Sequence, residues 1–191
     1  MSFPPSIPIE TCAVDGINVY WSSHWSSSRL DHRRLIRGHL FRNLESRGFK
    51  DIDSILDLTK RPIVLGVGLS ISHCQSFGGY AVKFSGEPLG FDIEVSSRVS
   101  KKLVSRISSE EEVAESPSFA HLWVAKEAFF KCLDSDRQKS LAFSSLRILD
   151  WTAGEGFQIF QAQESGERFR GQVWMSKDER VCFAICQKNS L

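Results

Sequence analysis

Residues 89–95 read Leu-Gly-Phe-Asp-Ile-Glu-Val, and the rest of the chain orders itself around this stretch. Side chains alternate faces along a strand, so Phe91, Ile93 and Val95 point together into a core while Asp92 and Glu94 lie side by side on the other face. Just upstream, Ser85-Gly86-Glu87-Pro88 is a turn, and Val67–Ser72 and Gly79–Phe84 read as strands. Downstream, helices are expected over about 100–116 and 118–133. Four short β-rich runs then follow at Leu146–Trp151, Phe157–Ala162, Phe169–Trp174 and Val181–Cys186. Sheet at both ends with helices between them makes the fold class α+β.

The N-terminal portion carries less signal. Residues 1–16 hold three of the six prolines and read as an irregular lead-in. Ile17–Ser23 looks like a strand. Ser26, Ser27 or Ser28 can cap a helix running to about Arg47, with Leu30, Leu35, Ile36, Leu40, Phe41 and Leu44 as its apolar stripe. Gly48 stands where a C-terminal cap belongs. A short helix is expected over Ile52–Leu58, ended by Arg61-Pro62.

Composition narrows the function classes. The 191 residues are 41% hydrophobic and 25% charged, with 14 Phe and 5 Trp, which is enough apolar surface for a packed core. Net charge is +1, so nucleic-acid binding by overall charge is not expected and any anion site must be a local cluster. No apolar run approaches the length of a membrane span, and MSFPPSIPIE lacks the features of a signal peptide. Cysteines at 12, 74, 132, 182 and 186 form no CxxC pair, and a reducing cytoplasm is the expected compartment.

Four groups of residues can carry chemistry. Asp92 and Glu94 repel each other unless a cation sits between them, and an oxygen-preferring ion such as Mg²⁺ would serve; a solvated strand face is the plain alternative. In Ser118–Leu133, Trp123, Glu127 and Lys131 fall at i, i+4 and i+8 and form one row along a helix. That row is either an ordinary surface ion pair or a carboxylate placed to complete a metal site or take a proton. Ser72-His73 stands at a strand end, where an imidazole can meet a phosphate or simply be a satisfied polar residue. Adjacent Cys74 faces the opposite way, which is poor geometry for a Cys–His dyad. Arg29–Arg42 carries five Arg against one Asp; Arg33 and Arg37, with Lys60 and Arg61, are either a phosphate clamp or a solvated face. A second basic group, Arg98, Lys101, Lys102 and Arg106, follows the two acids and suits an acidic protein partner.

Taken in order, Ile71-Ser72-His73, then Gly90-Phe91-Asp92-Ile93-Glu94, then Trp123-Val124-Ala125-Lys126-Glu127-Ala128-Phe129-Phe130-Lys131 resemble the motifs of the 4′-phosphopantetheinyl transferases. The spacing is similar to that of the larger, surfactin-synthetase-activating type, and Arg61-Pro62 resembles the basic-residue–Pro pair of that family. The resemblance is closest from about 61 to 133. Phe91 departs from the family's smaller aliphatic residue, and Cys74 from its common Ser.

The resemblance implies a fold and a reaction. The fold is two similar α+β halves packed as a pseudo-dimer with coenzyme A between them, here 1–88 as the coenzyme A clamp and 89–191 as the metal and catalytic half. The reaction moves phosphopantetheine from coenzyme A to a serine of an apo acyl or peptidyl carrier protein of fatty acid, polyketide or nonribosomal peptide synthesis, and releases 3′,5′-ADP. By the same resemblance Asp92, Glu94 and Glu127 hold Mg²⁺, Glu127 takes the serine proton, and Lys131 binds phosphate oxygens. Ser72 and His73 hold the nucleotide's phosphates, with Arg33, Arg37 and Arg61 as further contacts. A monomer is expected, because both halves lie in one chain. A non-enzymatic coenzyme A or carrier-protein binder on the same fold is the alternative, and a nucleic-acid module using Arg29–Arg42 is a third reading.

Overall fold

A computed structural model of the chain describes residues 9–25, 29–75 and 77–189. The chain divides into two compact units, Met1–Gly86 and Glu87–Leu191, each with an antiparallel sheet and one long helix. The fold is α+β. Among the described residues no helix is long and apolar enough to cross a membrane.

In the first unit, β1 (Glu10–Val14) and β2 (Ile17–Ser22) form a hairpin, followed by α1 (Arg29–Ser46), β3 (Gly68–His73) and β4 (Gly78–Lys83). The sheet order is β1-β2-β4-β3. The strand β1 lies inside the stretch expected to be irregular: its register with β2 runs from Glu10↔Trp21 to Val14↔Ile17. Ile36, Leu40 and Leu44 of α1 are buried with Trp25, Ile55, Leu69, Tyr80 and Val82, and Leu35 and Phe41 pack at the margin. The proposed Ser26–Ser28 cap and the side chain of Leu30 lie outside the described residues. At the other end of α1, Gly48 adopts φ +86° and donates to Glu45 O while Phe49 N donates to Leu44 O. This paired closure satisfies two end carbonyls of the helix. The short helix expected over Ile52–Leu58 is a single 3-10 turn, Asp53–Leu56.

In the second unit, β5 (Leu89–Val95) leads to α2 (Lys101–Val104), α3 (Glu110–Glu115), α4 (Phe119–Cys132) and α5 (Ser135–Ser140), and then to β6 (Arg147–Ala153), β7 (Gln158–Glu164), β8 (Glu167–Met175) and β9 (Val181–Lys188). The sheet order is β5-β9-β8-β7-β6, so the first and last strands of the unit are neighbours. The single helix expected over 100–116 is two helices. Ser109 starts the second by accepting from Glu112 N while the Glu112 carboxylate accepts from Ser109 N, a reciprocal cap that begins a new helix. Helix α4 starts at Ser118, whose side chain accepts from His121 N, and lies on β5, β9 and β8. Leu122, Ala125, Ala128, Phe129 and Cys132 pack there against Phe169, Val173, Cys182, Ala184 and Cys186.

Candidate functional site

Strand β5 alternates as expected, but its acidic face is not a solvated one. In register with β9, Gly90 pairs with Cys186, Asp92 with Ala184 and Glu94 with Cys182. Directly paired residues of antiparallel strands share a face, and Cys182, Ala184 and Cys186 belong to the core beneath α4. The two acids therefore lie on the helix side of the sheet. Phe91 and Ile93, on the opposite face, are buried as well, so β5 is enclosed on both sides over these residues.

Gly90 fixes how close the helix comes. A Cβ there would stand 1.8 Å from Ala128 O and 2.8 Å from Cys132 N, far inside van der Waals contact, so only glycine lets the α4 backbone rest on β5 at this point. Two residues along the same face, Asp92 meets the neighbouring turn of α4. Lys131 Nζ donates to Asp92 Oδ1 at 2.7 Å. Asp92 is almost fully buried and the Lys131 side chain is 27% exposed.

Glu127, one turn before Lys131, is half-buried. Burial, followed by the negative charge of Asp92, pushes its carboxyl up to about 7; Glu94 adds to the rise, and the Lys131 ammonium opposes it. Glu94 is also raised, first by burial and to a lesser extent by Asp92, while a hydrogen bond from Val95 N (2.8 Å) and the Arg98 guanidinium at 3.7 Å pull it down. Three carboxylates, two of them held above their ordinary range, face a single ammonium. Desolvated acids that repel each other favour added positive charge, whether protons or a cation. Among the described residues no three His, Cys, Asp or Glu side chains stand close enough together to hold a metal ion as they lie, and Lys131 occupies Asp92 Oδ1. The donor chemistry nonetheless suits a hard, oxygen-preferring dication.

The residue just before Glu127 stands in the quoted motif, but the sequence assigns it no role. Lys126 is fully buried. Its ammonium donates to Ile107 O (2.6 Å) and Leu146 O (2.8 Å), and it pairs with Glu112 at 3.0–3.1 Å. Burial lowers its pKa, and Glu112 opposes that shift. Glu112 also accepts from Ile148 N at 2.9 Å, so one buried ion pair ties α4, the α2–α3 connection, the start of α3 and β6. A visible signal was its place in an otherwise apolar helix run, Val124-Ala125-Lys126.

In the first unit, Ser72 and His73 end β3, Ser72 is buried, and the His73 ring lies 6.3 Å from that of His32. Arg33 and Arg61 are exposed. Arg37 does not fit the expected pairing with Arg33 on a phosphate. It is buried, and its guanidinium donates to Ile55 O (3.0 Å), Asp57 O (2.5 Å) and Lys60 O (2.7 Å). Those three carbonyls make Arg37 a tether of the 55–60 segment, because donors so engaged are not open to a phosphate. Its pKa is lowered by burial first and then by Arg33, against Asp57.

A family model described as the 4′-phosphopantetheinyl transferase superfamily matches residues 88–186. That match covers 99 of 191 residues (186 − 88 + 1), just over half of the chain. The chain belongs to this superfamily. Its matched segment contains β5, α4 and all four acidic and basic residues of the second-unit site. A search among curated proteins found no match. Phosphopantetheinyl transferases as a group take coenzyme A as co-substrate and a carrier protein as acceptor.

Proposed function

We propose that this protein transfers 4′-phosphopantetheine from coenzyme A to a serine of an apo acyl or peptidyl carrier protein, with Mg²⁺ held at Asp92, Glu94 and Glu127. The observation that carries the reading is the set of charges where α4 meets β5: Glu127 and Lys131 on the helix, with Asp92 and Glu94 on the strand, the last three each acting on the Glu127 carboxyl, inside the segment that matches the superfamily.

In the reaction, the carrier serine oxygen attacks the phosphorus that bears the pantetheine arm. The bond from that phosphorus to the bridging diphosphate oxygen breaks, and 3′,5′-ADP leaves with the electron pair. A bound dication would supply charge neutralisation at the diphosphate. The chain's own residues do the rest. Glu127, facing the site from α4, accepts the serine proton directly or through a water. Lys131 supplies positive charge to the phosphate oxygens, exchanging its bond with Asp92 for one with the substrate. A positively charged donor beside the phosphate oxygens, where charge spreads, lowers the barrier. Ser72, His73, Arg33 and Arg61 are proposed contacts for the nucleotide end, with Arg37 acting only as a tether of the neighbouring segment.

Incubation with coenzyme A, Mg²⁺ and a panel of apo carrier proteins, followed by mass measurement of each carrier, tests this reading. The gain of one phosphopantetheinyl group on a carrier serine is the expected result. Binding of coenzyme A or carrier without any mass gain would instead select the non-enzymatic alternative.

A further inference from the structure

We infer that Lys126 is a positioning residue: its buried pair with Glu112 fixes the rotation of α4 and thereby holds the face bearing Glu127 and Lys131 against Asp92. Successive residues of an α-helix are about 100° apart around the axis. Setting the direction of Lys126 therefore sets that of Glu127, next in the chain. Lys126 is set firmly. Its ammonium is fully buried and engaged by Ile107 O, Leu146 O and both oxygens of Glu112.

A second anchor acts from nearly the opposite side. Ala128 lies about 200° round from Lys126, and its carbonyl rests where Gly90 allows no side chain. Between the two anchors, on one row, stand Glu127 and Lys131, the latter 2.7 Å from Asp92 Oδ1. A helix gripped from both sides can neither roll nor slide, which is what a catalytic row needs, because small displacements of a reacting group cost large factors in rate. The pair also reaches further, since the Glu112 carboxylate accepts from Ser109 N and Ile148 N. The connection after α2 and the start of β6 thus share the same anchor.

The kinetic part of this inference rests on the transferase reading; the structural part does not. Two variants test it. Lys126→Met removes the ammonium at similar length. Glu112→Asp keeps every charge, is the safer fold, and draws the carboxylate back from Lys126. In crystal structures of the folded variants the Lys131–Asp92 contact should be lost. In assays kcat should fall about tenfold or more, with KM for coenzyme A within twofold of the parent's. A role confined to stability lowers the melting temperature but leaves both the contact and kcat of folded molecules at parental values. An intact contact in Glu112→Asp, or its loss with parental kcat, overturns the inference. If the parent itself transfers nothing, the transferase reading fails on its own and the crystallographic contact still decides the positioning.

Discussion

Lys131 Nζ stands 2.7 Å from Asp92 Oδ1, joining a helix to a strand through two residues 39 positions apart in the chain. The contact exists because Gly90, two residues before Asp92, lets the α4 backbone settle onto β5. The first prediction follows from that seat. Gly90→Ala would force a methyl group into the Ala128 carbonyl, and overpacking of this kind costs about 1–3 kcal/mol. The denaturation midpoint should fall accordingly, and transfer should drop with it as α4 lifts from Asp92. A variant with parental stability and activity would show that the seat is not needed.

Asp92→Asn keeps the shape of the side chain but removes its charge. Loss of a carboxylate from the proposed metal set should reduce transfer at least about 100-fold, while the melting temperature changes little. Glu94→Gln should be milder, since Glu94 is already shared between Val95 N and Arg98. Mg²⁺-dependent turnover at the parental rate in Asp92→Asn would remove Asp92 from the site.

Glu127 gives a pH signature. Its carboxyl is raised to about 7 in the folded chain from 4.5, so the folded state binds more protons than the unfolded state between these values. Stability attributable to this group therefore decreases as pH rises from about 4.5 to about 7 and stays low above that. At pH 8 without metal, Glu127→Gln should be more stable than the parent by about 1–3 kcal/mol, and at pH 4 the difference should vanish. Mg²⁺ at pH 8 should raise the melting temperature of the parent and leave Glu127→Gln unmoved. Thermal melts at the two pH values, with and without Mg²⁺, read all of this; equal stability of the two proteins at pH 8 would contradict it.

The basic group beyond β5 is exposed at Lys101, Lys102 and Arg106, whereas Arg98 lies 3.7 Å from Glu94. Helix α2 ends at Val104, so Lys102 and Arg106 do not share a continuous helix face. If these charges steer an acidic carrier, reversing both should raise KM for the carrier several-fold and weaken its salt dependence, because exposed charges act over a Debye length of about 10 Å at 0.1 M salt. KM for coenzyme A should stay where it is. A carrier KM that does not respond to the reversal would return these residues to plain surface.

Much of the second unit was legible because its signals are periodic or carry charge. The row Trp123, Glu127, Lys131 declared a helix with one functional side, and Asp92 and Glu94 declared one face of a strand. What that face lies against was not legible. Alternation says that two acids share a side, but only the pairing of β5 with β9 puts that side under α4 with Cys182, Ala184 and Cys186, and long-range pairing leaves no mark in a local pattern. Arg37 illustrates the same limit: a sequence shows a guanidinium one turn from Arg33, not the three carbonyls that take its donors. The strand β1 was missed although a local signal was present. Asp15 and Gly16, both with positive φ, form the Asp-Gly turn that closes a two-residue hairpin. The prolines just before β1 mask that signal, because proline cannot donate to a strand ladder.

The most direct test of the central claim is mass spectrometry of an apo carrier protein after incubation with this chain, coenzyme A and Mg²⁺, beside the same mixture with Glu127→Gln. The account predicts that the carrier gains one phosphopantetheinyl group on its serine with the parent, and that the gain slows by about 100-fold or more with the variant. No mass gain with the parent across a broad carrier panel, or equal gain with both proteins, would contradict it.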